Sequence, residues 1–284
     1  MSVTRVGLVG SGIMGSGIAE VAARSGYEVV VRSRSRAGAD AVVARLQRSL
    51  ARQVEKGNLT EEAATSITDR VRGVDDLDDL SECDLVIESI VEDLTAKKQL
   101  FRQLDAICAA DAILATNTST LPVIDLAMET KRPDQVCGIH FFNPASRMSL
   151  VEVVHALTTS DTTLAAARTF AESCGKTPIT VKDQAGFVVN ALLLPYLNNA
   201  VKLYDSGVAS REDIDTAMRG GCNFPMGPLE LLDLVGIDTS LAILDALYLE
   251  FGDPNFAPAP LLRRMVVAGR LGRKSGSGLY DYVT

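Results

Sequence analysis

Residues 6–20 read VGLVGSGIMGSGIAE: an apolar run, then glycines at 10, 12 and 15, then a helical pattern. Between a strand and a helix, this GxGxxG spacing is the dinucleotide-binding fingerprint. Its glycines allow a tight turn, close approach of a pyrophosphate and close helix packing, and the free amides of the helix N-terminus attract phosphate. A glycine-rich turn that is present for steric reasons alone is the alternative. The residues predicted to contact a dinucleotide are Gly10, Ser11, Gly12, Ile13, Met14 and Gly15.

Composition and charge limit the class of protein. The chain has 284 residues, of which 47% are apolar, enough for two moderate cores. Its net charge of -8 argues against nucleic-acid binding, which needs a basic face. The five cysteines are widely spaced without a CxxC pair, so we expect neither disulfides nor a metal site. With no signal peptide and no long apolar run, we expect a cytoplasmic protein that does not bind membranes.

Strand-like apolar runs alternate with helical patterns over the first two thirds of the chain. This alternation predicts a Rossmann-like, doubly wound parallel sheet with a mixed edge. From residue 187 only helical patterns follow, so we expect a sheet domain at 1–185 and an all-helical domain at 186–284. The glycine-rich residues 271–282 predict an extended surface tail. The predicted strands are 5–10, 27–31, 84–88, 112–116, 136–142, 151–154 and 177–181.

The residues after the second predicted strand bear on the choice of dinucleotide. An NAD site usually has an Asp or Glu about 20 residues past the glycines, where it binds the ribose 2′-hydroxyl. This chain has Ser33, Arg34 and Arg36 instead. Serine and arginine can donate hydrogen bonds to a 2′-phosphate, which a carboxylate would repel. We therefore expect NADP; with NAD, the alternative, the arginines would only solvate the strand end.

The helix predicted at 37–56 carries a basic stripe beside the nucleotide fold. Most basic helix faces are simply solvated. In an acidic protein, however, this stripe is also a plausible contact surface for a second phosphorylated ligand.

Polar residues at the carboxyl ends of predicted strands are candidates for chemistry, because ligands bind at that edge of a parallel sheet. His140 ends one strand, and Glu152 begins the next, so the two side chains can meet. A histidine can move a proton to or from a hydroxyl when a partner fixes its tautomer. His140 could equally be a core residue, and Ser119, after another strand, could equally cap a helix. His155 is expected at the surface.

Asn190 lies on a predicted apolar helix face. An amide there must find hydrogen-bonding partners. It either bonds to another helix or donates to a ligand.

In their order along the chain, these motifs resemble the short-chain L-3-hydroxyacyl-CoA dehydrogenase family, and within it the bacterial 3-hydroxybutyryl-CoA dehydrogenases. The resemblance covers essentially the whole chain. It rests on GSGIMG at 10–15, DLVIESIVED at 84–93, TNTSTLP at 116–122, HFFNP at 140–144, GFVVN at 186–190, EDIDTAM at 212–218, PMGPLELLDLVG at 225–236 and GRKSGSGLYDY at 272–282.

The resemblance implies hydride transfer between a nicotinamide cofactor and the pair (S)-3-hydroxyacyl-CoA and 3-oxoacyl-CoA. His140 then matches the family's catalytic histidine and Glu152 its carboxylate partner. Ser119 and Asn190 match residues that bind the substrate oxygens. It also implies a homodimer formed by the helical domain, which closes the cleft. Matches to the cofactor site are Glu92, Lys97, Ser119, Asn143 and Lys274, and matches to CoA contacts are Ser49 and Lys56.

One departure from the family concerns the cofactor. NAD-dependent relatives have an aspartate where Ser33 stands, so their preference is not carried over to this chain. Two other interpretations remain open: the same fold acting on an acyl-carrier-protein thioester or a sugar acid, and a non-catalytic dinucleotide-binding protein. The intact matches at His140, Glu152, Ser119 and Asn190 disfavour the second.

Overall fold

A computed structural model describes residues 3–282. The chain forms two compact units, of which the first ends at Asp183 and the second begins at Gln184. Within the described residues, no helix has both the length and the apolar character needed to cross a membrane.

The first unit is built on one eight-stranded sheet with the order β3-β2-β1-β4-β5-β6-β7-β8. Neighbouring strands run parallel except β6 and β7, which are antiparallel. This topology confirms the predicted doubly wound sheet with a mixed edge. The strands are β1 (Arg5–Val9), β2 (Glu28–Arg32), β3 (Val71–Val74), β4 (Leu85–Glu88), β5 (Ile113–Thr116), β6 (Val136–Phe141), β7 (Leu150–His155) and β8 (Thr177–Lys182).

Helices connect these strands and begin at residues that cap them. Ser35 accepts a hydrogen bond from the backbone of Gly38, and Thr60 accepts one from Ala63. Apolar residues of β1, β4 and β5 are fully buried, as expected for strands covered on both faces. The helices are α1 (Ile13–Arg24), α2 (Arg36–Glu55), α3 (Glu61–Asp69), α4 (Leu94–Ile107), α5 (Val123–Ala127) and α6 (Asp161–Ser173).

The strand order reverses beside β1, which lies between β2 and β4. The carboxyl ends of β1 and β4 therefore frame the switch point at which ligands bind in open α/β sheets. The glycine-rich turn leaves β1 at this point. The sheet thus brings the loops after β1, β4, β5 and β6 to one edge.

The second unit is helical around its own apolar core. Its first helix begins two residues later than predicted, because Gly186 and Phe187 have positive φ angles of 71° and 46°, which a helix cannot contain. The helices are α7 (Val189–Asp205), α8 (Arg211–Cys222), α9 (Pro228–Val235), α10 (Ile237–Phe251) and α11 (Pro260–Val267).

The prediction of an extended surface tail at 271–282 is wrong. Residues Arg273–Ser275 form a turn of 3-10 helix, and Leu279 is buried in the core of the second unit. The carboxylate of Asp233, itself buried, accepts hydrogen bonds from the backbone of Leu279 and Tyr280. These bonds fold the tail back onto α9.

Candidate active site

The glycine-rich turn has the shape of a phosphate cradle. Gly10 has a φ of 128°, and a Cβ there would collide with the carbonyl of Ser89. A Cβ at Gly15 would collide with the carbonyl of Gly10, so this glycine permits close packing of α1. At Gly12, by contrast, no heavy atom lies within 4 Å of a built Cβ. Gly12 is also the N-cap of α1, so the free amides of the first helical turn begin here and would attract a phosphate.

The three residues predicted to contact a 2′-phosphate follow β2 and have different surroundings. Ser33 is 5% exposed, and its Oγ lies 2.9 Å from Ser11 Oγ on the glycine-rich turn. Arg34 is exposed. Arg36 is also exposed, but its Nε lies 3.0 Å from the carboxylate of Asp40, one helical turn further along α2. Ser33 therefore lies beside the nucleotide turn, whereas Arg36 already has an acidic partner.

His140 and Glu152 form a direct pair across the antiparallel strands β6 and β7. This register explains how residues twelve positions apart meet side by side. His140 Nδ1 lies 2.7 Å from Glu152 Oε2, and both residues are buried at 4% and 0% exposed. On the other side of the ring, Nε2 lies 3.0 Å from Ser119 Oγ. The structure thus brings three of the four predicted catalytic residues together.

Each nitrogen of His140 consequently has a distinct neighbour. A carboxylate accepts hydrogen bonds and cannot donate them, so Nδ1 carries a proton toward Glu152. Nε2 is then the nitrogen without a proton, and it faces Ser119. An ionised Glu152 fixes this tautomer. The ring also contacts Phe142, with centroids 4.5 Å apart.

Glu92 and Lys97 lie next to the loop that carries Ser119. One carboxylate oxygen of Glu92 accepts hydrogen bonds from the Thr118 hydroxyl and from the Ser119 backbone, the latter at 3.0 Å. Lys97 Nζ lies 3.2 Å from the other oxygen. Burial alone would raise the pKa of Glu92, but the charge of Lys97 and these hydrogen bonds outweigh it and lower the pKa below its ordinary value.

The other predicted site residues occupy separate parts of the chain. Asn143 is exposed just after β6, and Asn190 is half-buried in the first turn of α7. Lys274 Nζ forms an ion pair of 2.5 Å with Asp238 in the helical unit. Ser49 lies on α2, where it lines a groove between α1 and α2, and Lys56 is exposed at the C-terminal end of that helix.

Two charged residues in this region have contacts that the sequence did not indicate: Arg45, predicted only as part of the basic stripe at 37–56, and Glu88, which had no predicted role. Arg45, one turn before Ser49, donates to Ser16 Oγ at 2.8 Å and to the carbonyls of Ser11 and Gly12 at 3.4 Å. Glu88 ends β4 and is fully buried. An acidic residue closing the apolar strand DLVIE was the available signal for Glu88.

Comparison with known proteins gives the family of the chain. The family model described as 3-hydroxyacyl-CoA dehydrogenase, NAD binding domain, matches residues 5–184, and the C-terminal domain model matches residues 186–282. The chain is 45% identical to a 3-hydroxybutyryl-CoA dehydrogenase from Clostridioides difficile, over 98% of this chain and 99% of the relative.

Solved structures give the same result over the full length. The crystal structure of M. tuberculosis FadB2 is 46% identical, with a TM-score of 0.97 and 100% of both chains covered. The (S)-3-hydroxybutyryl-CoA dehydrogenase PaaH1 from Ralstonia eutropha is 45% identical, again with a TM-score of 0.97 and 100% of both chains covered. On its motifs, its fold and these full-length similarities, the chain belongs to the 3-hydroxyacyl-CoA dehydrogenase family.

Proposed function

We propose that the protein interconverts (S)-3-hydroxybutyryl-CoA and acetoacetyl-CoA, with His140 as the general acid and base. The observation that carries this proposal is the imidazole held between Glu152 at Nδ1 and Ser119 at Nε2. Relatives that are 45% and 46% identical over nearly their full length bear the name 3-hydroxybutyryl-CoA dehydrogenase, which supports the choice of substrate.

In the reductive direction, a nicotinamide cofactor supplies the hydride that adds to C3 of the oxoacyl thioester. As the C3 carbonyl becomes an alkoxide, His140 Nε2 donates its proton to that oxygen, which yields the hydroxyl. Ser119 Oγ, 3.0 Å from Nε2, is placed to donate a hydrogen bond to the same oxygen. Glu152 stabilises the imidazolium before the transfer. In oxidation, Nε2 takes the proton from the hydroxyl.

We propose that NADP(H) is the preferred cofactor. Ser33 beside the glycine-rich turn can donate a hydrogen bond to a 2′-phosphate, and Arg34 adds positive charge nearby. Arg36 can contribute only if its contact with Asp40 is shared or broken. Replacement of Arg34 should therefore weaken NADPH binding more than replacement of Arg36.

The carrier of the acyl group is proposed to be CoA. A groove of about 290 Å³ between α1 and α2 is lined by Ser49 and by three arginines, which would attract the phosphates of CoA. Lys56 lies further along the same helix. Lys56→Glu should raise the Michaelis constant for acetoacetyl-CoA without changing the one for the cofactor. The arginines that line the groove are Arg45, Arg48 and Arg52.

We also propose a homodimer formed through the helical unit. That unit leaves large apolar side chains on its surface, such as Leu249 at 87% exposed and Val267 at 90% exposed. Sedimentation equilibrium should give twice the 30.3 kDa mass of the chain.

All five cysteines are free thiols, which suits the reducing cytoplasm in which we expect the protein. Asn190 and Lys274 stay predictions from the resemblance.

The test is the initial rate of acetoacetyl-CoA reduction with NADPH and NADH at matched concentrations. We expect turnover with both cofactors and a higher kcat/KM with NADPH, and His140→Ala should lower kcat by about 10²- to 10⁴-fold. A preference for NADH would overturn the assignment of NADP. Absence of turnover by the wild type would overturn the assignment of the substrate. An acyl-carrier-protein thioester or a sugar acid would then be tested.

A further inference from the structure

A buried ion pair lies directly behind the predicted active site. Glu88 at the end of β4 is 0% exposed, and Lys97 on α4 is 1% exposed. Lys97 Nζ lies 2.6 Å from one oxygen of Glu88 and 2.8 Å from the other. Two further groups donate hydrogen bonds to this carboxylate: the backbone amide of Ile90 at 2.6 Å and the hydroxyl of Thr116 at 2.7 Å. Each oxygen of Glu88 thus accepts two hydrogen bonds.

The pair continues toward the candidate site through a chain of contacts. The ammonium of Lys97 has three protons, and its contacts are the two oxygens of Glu88 and one of Glu92. Glu92 in turn holds the loop of Ser119 through the backbone amide of that residue. Ser119 Oγ reaches His140 Nε2. Every link in this chain lies in the first unit and joins side chains at one edge of the sheet.

We propose that Glu88 is a positioning residue, which sets the place of Ser119 against His140 by way of Lys97 and Glu92. This inference rests on the proposed function, because Ser119 and His140 act together only in that reaction. Removing two charged groups from water is costly, and apolar residues could fill the same space at no loss of stability. A carboxylate that accepts four hydrogen bonds instead fixes the position of Lys97, and this fixed geometry is what the loop above it requires.

The variant Glu88→Gln keeps the shape of the side chain and removes its charge. Its amide nitrogen is a donor and cannot accept the two hydrogen bonds that the replaced oxygen accepted, one of which comes from Lys97 in either orientation of the amide. Lys97 is then drawn toward Glu92, and the Ser119 loop shifts. A displacement of about 1 Å can lower a catalytic rate by about 10²-fold. For a shift transmitted through two side chains, we expect kcat to fall by about 10-fold, while KM for acetoacetyl-CoA changes by less than about 2-fold.

The experiment is a double-mutant cycle with Ser119→Ala, measured as kcat for acetoacetyl-CoA reduction. If Glu88 acts through Ser119, Glu88→Gln should cost about 10-fold in the wild-type background and less than about 2-fold when the Ser119 hydroxyl is absent. Asp105→Asn is the matched control. Asp105 is a partly buried carboxylate, with its side chain 9% exposed, and it pairs with Arg132 at 2.8 Å near the far end of α4; its loss should lower the melting temperature and leave kcat unchanged.

The outcomes separate the two proposals. Equal losses of kcat in both backgrounds, or a lower melting temperature with an unchanged kcat, would overturn the role of Glu88 and leave the proposed function standing. Absence of turnover by the wild type would overturn the proposed function and this inference with it. If Glu88→Gln does not fold, Glu88→Asp keeps the charge and withdraws the carboxylate from Lys97 by one methylene. The same cycle with Ser119→Ala then gives the answer, with a loss of about 3-fold expected.

Discussion

The variant Glu152→Gln tests how much of the catalytic rate depends on the carboxylate that contacts Nδ1 of His140. Glu152 is fully buried on β7, and its Oε2 lies 2.7 Å from Nδ1 of the ring. The substitution keeps the size of the side chain and removes its charge. Because Glu152 lies on the side of the ring opposite Ser119, the change should leave substrate binding intact.

The expected loss follows from that one contact. A hydrogen bond to a charged group contributes about 1.5–3 kcal/mol, and the short distance and complete burial put this one at the upper end. Since each 1.36 kcal/mol in the activation free energy changes a rate about tenfold, kcat should fall by about 150-fold. A glutamine whose amide nitrogen faces Nδ1 would fix the opposite tautomer. The loss would then approach the ~10⁴-fold found when the carboxylate behind a catalytic histidine becomes an amide.

The assay is the initial rate of acetoacetyl-CoA reduction, followed by the decrease in NADPH absorbance over a range of substrate concentrations. KM should stay within about 2-fold of the wild-type value, because a buried side chain behind the ring does not touch substrate. Asp105→Asn again controls for the loss of a partly buried carboxylate. A kcat within about 3-fold of the wild type would refute the reasoning, and so would a loss confined to KM.

Three further predictions concern other parts of the chain. Arg45→Met should weaken cofactor binding about 10-fold in a fluorescence titration, because Arg45 holds Ser16 and the carbonyls of the glycine-rich turn, whereas Arg48→Met should not. Burial alone would raise the pKa of Asp84, but hydrogen bonds from Thr4 and Arg5 outweigh it and lower the pKa below its ordinary value. Asp84→Asn should therefore be less stable than the wild type at neutral pH in urea titrations. This difference in stability between the two proteins should disappear as the pH falls through the lowered pKa of Asp84. A difference that stays constant with pH would contradict the prediction. Ellman's reagent should label only the exposed Cys222 quickly in the native protein, and rapid labelling of a second thiol would be evidence against the described core. Burial raises the thiol pKa to about 12 at Cys83 and Cys137 and to about 11 at Cys108 and Cys174.

Elements with a strong local pattern could be predicted from the sequence. Helix α4 is such an element, since the apolar positions of Leu94–Ile107 repeat at helical spacing and Asp93 caps the helix. The strand β3 was missed because Val71–Val74 reads VRGV, too short and too mixed for an apolar run. Its pairing with β2 stabilises it, and residues some forty positions away supply that pairing. The tail was misjudged for a similar reason, since the buried carboxylate of Asp233 lies far from it in sequence.

The candidate site likewise has residues that the sequence could indicate and contacts that it could not. Motifs could indicate His140, Glu152 and Ser119, because each lies at or just beyond an end of a recognisable strand. Only the antiparallel register of β6 and β7, however, sets the first two side by side. The NADP hypothesis rested on three residues taken as equivalent. In the structure Ser33 is buried against Ser11, while Arg36 contacts Asp40. An acidic residue four positions later on a helix is visible in the sequence and argues for this pairing.

Lys97 shows most clearly why a sequence alone understates such a site. On an amphipathic helix rich in polar residues, a lysine is ordinarily solvated, and its hydrocarbon stem can lie on an apolar surface while the charge reaches water. Here the ammonium points inward, because β4 ends in a glutamate where its other residues are apolar. Neither residue has a reason to be buried without the other, and their spacing of nine positions spans a strand end, a loop and a helix start. The pair therefore becomes recognisable only when the sheet and α4 are packed together. If the pair positions the Ser119 loop as we propose, part of the catalytic geometry is set by residues that never touch the substrate.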